Sequence, residues 1–281
     1  MGFTIEEAQR NKIKLKLAIT SPSGGGKTYS SLQLGLGLAG SDASKVCIVD
    51  TEDSAHAYAG RPEFGKFKRI RFDKPHSPEK YLEAISLMAR SGIEVGILDS
   101  ITPEWNWCKN YHEKLGGRFQ DWGKVTPLHN KFIKGIIDAP IHLICTMRRK
   151  TDYTISREGD RSVVTKVGLK QEQRDGMEYE FFVVWALNQQ HLAEAEKDRT
   201  GIFMNRPAEM IGQDTGRELL EWVNAVQDLP YTASDQQKLT LFQWLRAVGV
   251  EDNAKMKSIS DELLSDGAVM NFEEVRARAL G

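Results

Sequence analysis

The residues best suited to chemistry are the eight at positions 21–28, Ser-Pro-Ser-Gly-Gly-Gly-Lys-Thr, between an apolar run and a helix-like stretch. Small residues let such a loop curl so that backbone N–H groups point at phosphate oxygens, and the helix N-terminus adds partial positive charge. The spacing predicts a P-loop, in which Lys27 reaches the β- and γ-phosphates of ATP and Thr28 binds Mg²⁺. The predicted nucleotide contacts are Ser23, Gly24, Gly25, Gly26, Lys27, Thr28, Tyr29 and Tyr58.

Two features qualify this interpretation. Ser21 stands where the P-loop pattern has its first glycine, so we expect a slightly reshaped loop. Residues 35–40, GLGLAG, match a dinucleotide-binding pattern, but no strand directly precedes them. We therefore expect these glycines to let the helix pack close to a sheet, with Gly40 ending it.

Acidic residues end two further apolar runs. Asp99 closes EVGILD and is predicted to hold Mg²⁺ together with Thr28, although it could also cap the next turn. Glu52 follows KVCIVD and is the candidate for activating the attacking water, against the alternative of a solvated loop acid. Thr146, at the end of IHLICT, is a candidate γ-phosphate contact or an ordinary strand residue.

The elements that must position these residues alternate between strands and helices. Strands are predicted at 13–19, 45–50, 94–99 and 141–146, and helices at 27–39, 77–92 and 124–138. This order predicts an α/β fold with a mainly parallel central sheet covered on both faces. Short strands at 153–156 and 163–167 and an apolar run at 179–187 predict β-hairpins that extend the sheet.

The last part of the chain has a different pattern. Ser234 with Gln237 and Asn271 with Glu274 have the spacing of helix-capping boxes. We therefore predict two domains, a core at 1–228 and a small helical module at 229–281 that serves protein interaction or regulation.

Composition narrows the function classes. The formal net charge is -1, so any nucleic-acid surface must be a local patch. The 3 cysteines lack zinc-ligand spacing and are expected to be reduced and structural. The sequence has no apolar run long enough for a membrane span and no signal core, which predicts a cytoplasmic protein.

The segments KIKLKLAI–SPSGGGKT, VCIVDTE and VGILDS resemble the RecA-like P-loop NTPase core. GLKQEQRDGMEYEF and EKDRTGIF are similar to distal motifs of the phage-encoded RecA-like ATPases of the Sak-four type, which act in recombination and single-strand annealing. The resemblance implies ATP, Mg²⁺, single-stranded DNA, homo-oligomeric rings or filaments and a bacterial host cell. It also implies that Glu52 is catalytic and that Lys197 and Arg199 contact the γ-phosphate of a neighbouring subunit.

Such proteins bind DNA through segments after the third and fourth strands, and two stretches here are candidates. The first has a cationic surplus and an aromatic residue, which suit a single strand, or is a solvated hairpin of mixed charge: Arg148, Arg149, Lys150, Tyr153, Arg157, Arg161 and Lys166. The second combines aromatic and basic residues, or packs at a core or subunit surface: Trp105, Trp107, Lys109, Tyr111, Lys114, Arg118 and Trp122.

Three functions remain open at this point. The first is a DNA-stimulated recombination ATPase. The second is a nucleotide-dependent switch or assembly factor with little turnover, and a single-strand-binding protein is a candidate partner through the C-terminal module. The third, a small-molecule phosphotransferase, would need a lid and an acceptor pocket that the sequence does not indicate.

Overall fold

The computed structural model describes residues 13–158, 161–225 and residue 245, and it describes side chains outside 151–169. The chain divides into two compact units, Met1–Asn224 and Ala225–Gly281. The predicted helical module at 229–281, with both of its capping boxes, lies outside the described residues apart from Leu245. The domain boundary at 228 therefore stays a prediction.

The described residues form one eight-stranded sheet in the order β3-β2-β4-β5-β1-β7-β8, and β6 pairs with β5 outside this path. The strands are β1 (Lys16–Ser21), β2 (Val46–Asp50), β3 (Lys68–Arg71), β4 (Val95–Asp99), β5 (His142–Glu158), β6 (Arg161–Gln171), β7 (Val183–Leu187) and β8 (Ala193–Asp198).

The central strands are parallel, which brings the predicted site residues to one edge of the sheet. Ser21 is in register with Arg148, and Asp50 with Asp99. The pairs β5–β6 and β7–β8 are antiparallel hairpins. The predicted α/β fold, with a mainly parallel sheet and a hairpin extension, is therefore confirmed.

Five helices of the described residues cover the sheet: α1 (Lys27–Leu38), α2 (Pro78–Arg90), α3 (Thr102–Lys114), α4 (Trp122–Asp138) and α5 (Gln213–Asn224). Successive residues of a strand point to opposite faces. Leu17 and Ile19 of β1 belong to the apolar core beneath α1 and α5, whereas Ala18 belongs to the core beneath α2 and α4. Burial on both faces explains why the central strands β1, β2 and β4 are mainly apolar runs.

The glycines of GLGLAG pack against two different partners. A Cβ atom at Gly35 would lie 3.2 Å from Cδ1 of Ile97 in β4, which confirms the predicted approach to the sheet. For Gly37 the prediction is wrong, because its missing side chain makes room for the backbone of α5 at Gln213. Gly40 has a φ of 64° just after the helix, as its predicted role at the helix end requires.

Other predicted elements differ in extent. Instead of two short strands at 153–156 and 163–167, β5 continues unbroken from the sheet to Glu158 and pairs with β6 through a register shift at Asp152/Tyr153. The charged residues 148–150 interrupt the apolar pattern, so the sequence does not indicate that the strand continues. The run at 179–187 divides into a 3₁₀ turn, Met177–Glu180, and β7. Strand β3 and helices α3 and α5 were not predicted.

A buried polar network joins α3 to α4. Glu104 on α3 accepts a hydrogen bond from Sγ of Cys108 at 3.2 Å, and its two carboxylate oxygens lie 3.1 Å from Nδ1 of His129 on α4. Cys47, Cys108 and Cys145 are buried free thiols, as the sequence predicts. No helix in the described part of the chain has the length and apolar character that crossing a membrane requires.

Candidate nucleotide site

The loop between β1 and α1 needs its glycines for backbone reasons. Gly24 and Gly26 have φ angles of 79° and 87°, in the left-handed region that side chains disfavour. Gly25 lies against Ser21, whose Oγ would be 2.6 Å from an added Cβ atom. The helix α1 begins directly after this loop, at Lys27, so its N-terminal N–H groups face the same space.

Lys27 folds back onto the loop. Its Nζ donates hydrogen bonds to Oγ of Ser21 at 3.2 Å and to the carbonyl oxygen of Pro22 at 3.3 Å. Burial lowers the pKa of this ammonium group, and the carboxylates of Asp99 and Glu52 oppose that shift. Ser21, which departs from the P-loop pattern, is buried at the end of β1. Its hydroxyl group is a hydrogen-bond acceptor for Lys27.

Asp99 lies beside Thr28 at the bottom of the site. Its Oδ2 accepts a hydrogen bond from Oγ1 of Thr28 at 2.5 Å, and its Oδ1 accepts one from Thr146. Burial raises the pKa of this carboxyl group. Hydroxyl and carboxylate oxygens are ligands that Mg²⁺ prefers, so Thr28 and Asp99 together fit a magnesium ion. Thr146 is directed at Asp99.

A second carboxylate, Asp50, shapes the loop that carries Glu52. Oδ1 of Asp50 accepts hydrogen bonds from the backbone N–H groups of Glu52 and Ser54 at 3.3 and 3.1 Å. Its Oδ2 accepts from the N–H of Ala55 and from Nε of Arg69, both at 2.9 Å. Asp50 is a positioning residue that no sequence motif indicates.

Glu52 forms an ion pair with Arg148 across the carboxyl edge of the sheet. Nη2 and Nε of Arg148 donate to Oε1 of Glu52 at 2.8 and 3.0 Å, and Oγ of Ser100 lies 3.4 Å from the same oxygen. The side chain of Arg148 is 45% exposed and that of Glu52 is 35% exposed, so the pair is open to solvent and to ligands. Glu52, the candidate base, and Arg148, a predicted DNA contact, therefore bind each other.

These groups surround one cleft of about 680 Å³, which brings most of the predicted site together. Among its lining residues are Ser23, Gly24, Gly26, Lys27, Thr28, Glu52, Tyr58, Asp99, Arg148, Arg149 and Lys150. Three predicted contacts do not line it, and Thr146 is one of them, because it is fully buried and its hydroxyl donates to Asp99. Gly25 is turned toward Ser21, and Tyr29 packs edge-on against Tyr58 and Phe64 with ring centroids 6.1 and 5.3 Å away.

The residues of the first predicted DNA-binding stretch, which begins at Arg148, occupy two places. Arg148, Arg149 and Lys150 line the nucleotide cleft, where Arg149 pairs with Glu196 at 2.8 Å and Lys150 with Glu172 at 2.5 Å. Tyr153, Arg157, Arg161 and Lys166 lie on the β5–β6 hairpin, and their side chains are outside the described part of the chain.

Lys197 and Arg199 lie away from the P-loop of their own chain. Lys197 is in register with Val184 of β7 and through it with Ala18, below the end of β1. Its Nζ donates to the carbonyl oxygens of Glu178 and Tyr179 at 3.0 and 2.6 Å, and Arg199 donates to that of Tyr179 at 3.2 Å. Any contact of theirs with a γ-phosphate would require a second copy of the chain.

The β7–β8 turn also reaches the P-loop, which the sequence did not indicate. The carbonyl oxygen of Asn188 would lie 3.3 Å from a Cβ atom at Gly25, and Nδ1 of His191 would lie 2.8 Å from one at Gly26. His191 has a φ of 64°. No local sequence signal links this turn to the P-loop, because β7 pairs with β1 only in the folded sheet.

One comparison with known proteins agrees with the motif assignments at the level of family. A family model described as an AAA domain matches residues 13–210, which include the P-loop, Glu52 and Asp99. Among solved structures, the chain is similar to a KaiC-like protein from the hyperthermophilic archaeon Pyrococcus horikoshii, with 14% identity and a TM-score of 0.40 over 66% of this chain and 79% of that one. No curated protein matches the sequence.

Proposed function

This chain belongs to the AAA domain family of P-loop ATPases, and from that premise we propose that it is a magnesium-dependent ATPase acting on single-stranded DNA in phage recombination or strand annealing. The observation that carries the proposal is the convergence of Lys27, Thr28, Asp99 and Glu52 on one cleft. A nucleotide-binding loop, a magnesium pair and a candidate base are the parts that ATP hydrolysis needs.

Each residue has a distinct task in binding. The loop N–H groups and the N-terminus of α1 hold the phosphate oxygens, and the Lys27 ammonium group leaves Ser21 to contact the β- and γ-phosphates. Thr28 and Asp99 would hold Mg²⁺, which neutralises charge on the phosphates when it is bound. Tyr58 also lines the cleft, and we assign it the stacking contact with the adenine base.

Glu52 then serves as the base. It accepts a proton from a water molecule as the water oxygen bonds to the γ-phosphorus and the bond from that phosphorus to the bridging oxygen of ADP breaks. The products are ADP and phosphate. Asp50 fixes the backbone at Glu52 and Ser54. The carboxylate of Glu52 is therefore held at the wall of the cleft.

Support for single-stranded DNA comes from charge and from the family resemblance. Arg148, Arg149 and Lys150 line the nucleotide cleft and start the long β5–β6 hairpin. The resemblance to RecA-like proteins implies that DNA binds to the segment after this strand. The distance of Lys197 and Arg199 from the P-loop suits a homo-oligomeric ring or filament. A partner for the C-terminal module, such as a single-strand-binding protein, and a site of action in the bacterial cytoplasm complete the proposal.

A second function is favoured by the Glu52–Arg148 ion pair. A base held by a guanidinium group activates water poorly, so the chain could act as a nucleotide-dependent switch or assembly factor that binds ATP and scarcely hydrolyses it. The two functions differ in turnover.

The test is an ATPase assay of the purified protein with and without single-stranded DNA, beside a mass measurement of the assembly. A recombination ATPase should turn over faster with single-stranded DNA, and the stimulation should weaken steeply as salt rises. ATP binding with negligible turnover in both conditions would favour the switch. Absence of ATP binding would overturn both functions.

A further inference from the structure

A second cleft adjoins the nucleotide site, and its chemistry is that of a nucleic-acid surface. It has a volume of about 820 Å³ and lies between the segment Lys74–His76 after β3, the helix α3, and Arg148. This volume is within the range of about 300–1,000 Å³ that is usual for ligand sites. Arg148 and Asn106 line both clefts, so the two sites share a wall.

The charge of this cleft is one-sided. Lys74, Lys114 and Arg148 line it, and no carboxylate of the described residues does. The whole chain is balanced, with 38 basic and 39 acidic residues, so this excess of positive charge is local. Within the part of the chain that the structure describes, neither Lys74 nor Lys114 has an ion-pair partner, in contrast to Lys134, which pairs with Asp138 at 2.7 Å.

Aromatic and amide side chains occupy the α3 wall. The rings of Trp107 and Tyr111, one helical turn apart, are stacked with centroids 5.1 Å apart and planes at 22°. Asn106 and Asn110 flank them and offer hydrogen bonds to base edges. Cations that hold phosphates beside a stack of rings are the combination that binds single strands, whose base faces are free.

Arg148 connects this cleft to catalysis because Glu52 is its partner. A phosphate group offers the same paired oxygens to a guanidinium group as a carboxylate does. Both side chains of the ion pair are partly exposed, so exchanging one anion for the other requires little energy.

Resting on the function proposed above, we propose that this cleft binds a segment of single-stranded DNA and that a DNA phosphate draws Arg148 away from Glu52. The stacked rings of Trp107 and Tyr111 hold a base, and Lys74 and Lys114 hold neighbouring phosphates. The freed carboxylate then accepts the proton of the attacking water. Arg148 is thus a positioning residue that holds the base inactive until DNA arrives.

The binding half is tested by anisotropy of a labelled oligothymidylate at several salt concentrations. Tyr111→Ala should weaken binding about 5-fold or more, because a stacking ring is lost. Lys114→Ala should weaken binding and reduce the slope of log affinity against log salt by about 0.7. Lys134→Ala is the matched control, an exposed lysine on α4, and should bind as the wild type does.

The coupling half is tested by DNA-free turnover. Arg148→Ala should raise kcat without DNA toward the DNA-stimulated rate of the wild type, with KM for ATP little changed, and DNA should add little more. Arg148→Lys keeps a cation for Glu52 and should restore part of the DNA dependence. A lower DNA-free rate in Arg148→Ala, or unchanged stimulation, would overturn the coupling.

The outcomes separate this inference from the proposed function. If the wild type binds single-stranded DNA and is stimulated by it, but Tyr111→Ala and Lys114→Ala bind normally, DNA lies elsewhere and only this inference fails. If the wild type neither binds single-stranded DNA nor responds to it, the proposed DNA function fails as well. Equal competition by heparin, a polyanion without bases, would overturn the stacking contribution.

Discussion

Asp50→Asn is the substitution whose effect follows most directly from the site geometry. The carboxylate of Asp50 is buried and accepts four hydrogen bonds, two at each oxygen. An asparagine has one acceptor oxygen and one donor amide. Whichever way the amide is turned, two donors of the protein face its NH₂ group and lose their acceptor.

The magnitude follows from those two lost bonds. A buried donor left without an acceptor costs about 1–3 kcal/mol, so two of them should lower the unfolding free energy by about 2–6 kcal/mol. Most of this range lies below the stability of most domains, about 5–15 kcal/mol, so the variant should still fold. Because the loop carrying Glu52 loosens while the P-loop is untouched, kcat should fall about 10-fold or more with KM for ATP nearly constant.

Urea unfolding followed by tryptophan fluorescence measures the stability, since Trp185 is buried in the apolar core beneath α1 and α5. Asp138→Asn is the matched control, because this carboxylate is 56% exposed and forms an ion pair with Lys134 on its own helix. It should change stability by less than about 0.5 kcal/mol. If Asp50→Asn matched the control in both stability and kcat, the assigned role of Asp50 would be refuted.

Three further predictions test other parts of the structure. Lys27→Ala should remove detectable ATP binding in calorimetry, and binding at wild-type affinity would rule out the P-loop as the site. Gly216→Ala should destabilise the protein by about 1–3 kcal/mol, because its Cβ would lie 2.8 Å from Cα of Gly37, whereas Gly123→Ala on α4, with open space, should be neutral or stabilising; equal effects would contradict this packing. Burial lowers the pKa of Lys16 to about 8, so above that pH the folded state binds fewer protons than the unfolded state. Unfolding free energy should therefore rise between about pH 8 and 10.5, by about 3 kcal/mol relative to Lys16→Met, and parallel pH profiles would refute the shift.

The parts of the site that the sequence predicted are local or follow from parallel topology. Residues 21–28 are contiguous, so their motif needs no knowledge of the fold. Glu52 and Asp99 were found because parallel strands end at a common edge, and the register of Asp50 with Asp99 bears this out.

The parts that were missed depend on contacts between distant segments. Arg69, the partner of Asp50, lies on β3, whose sequence Lys-Arg-Ile-Arg lacks the apolar character of a buried strand. Arg148 meets Glu52 although β4 separates their strands. The placement of Lys197 is set by a register shift at Val184/Trp185, which no sequence pattern encodes.

The measurement that tests the central claim most directly is single-turnover hydrolysis of ATP by Glu52→Gln, with ATP binding measured on the same sample. Glutamine preserves the size of the side chain but cannot accept the water proton at this step. We expect ATP affinity within a few-fold of wild type and hydrolysis slower by about 100-fold or more. Hydrolysis at the wild-type rate would contradict the assignment of this cleft as the catalytic site.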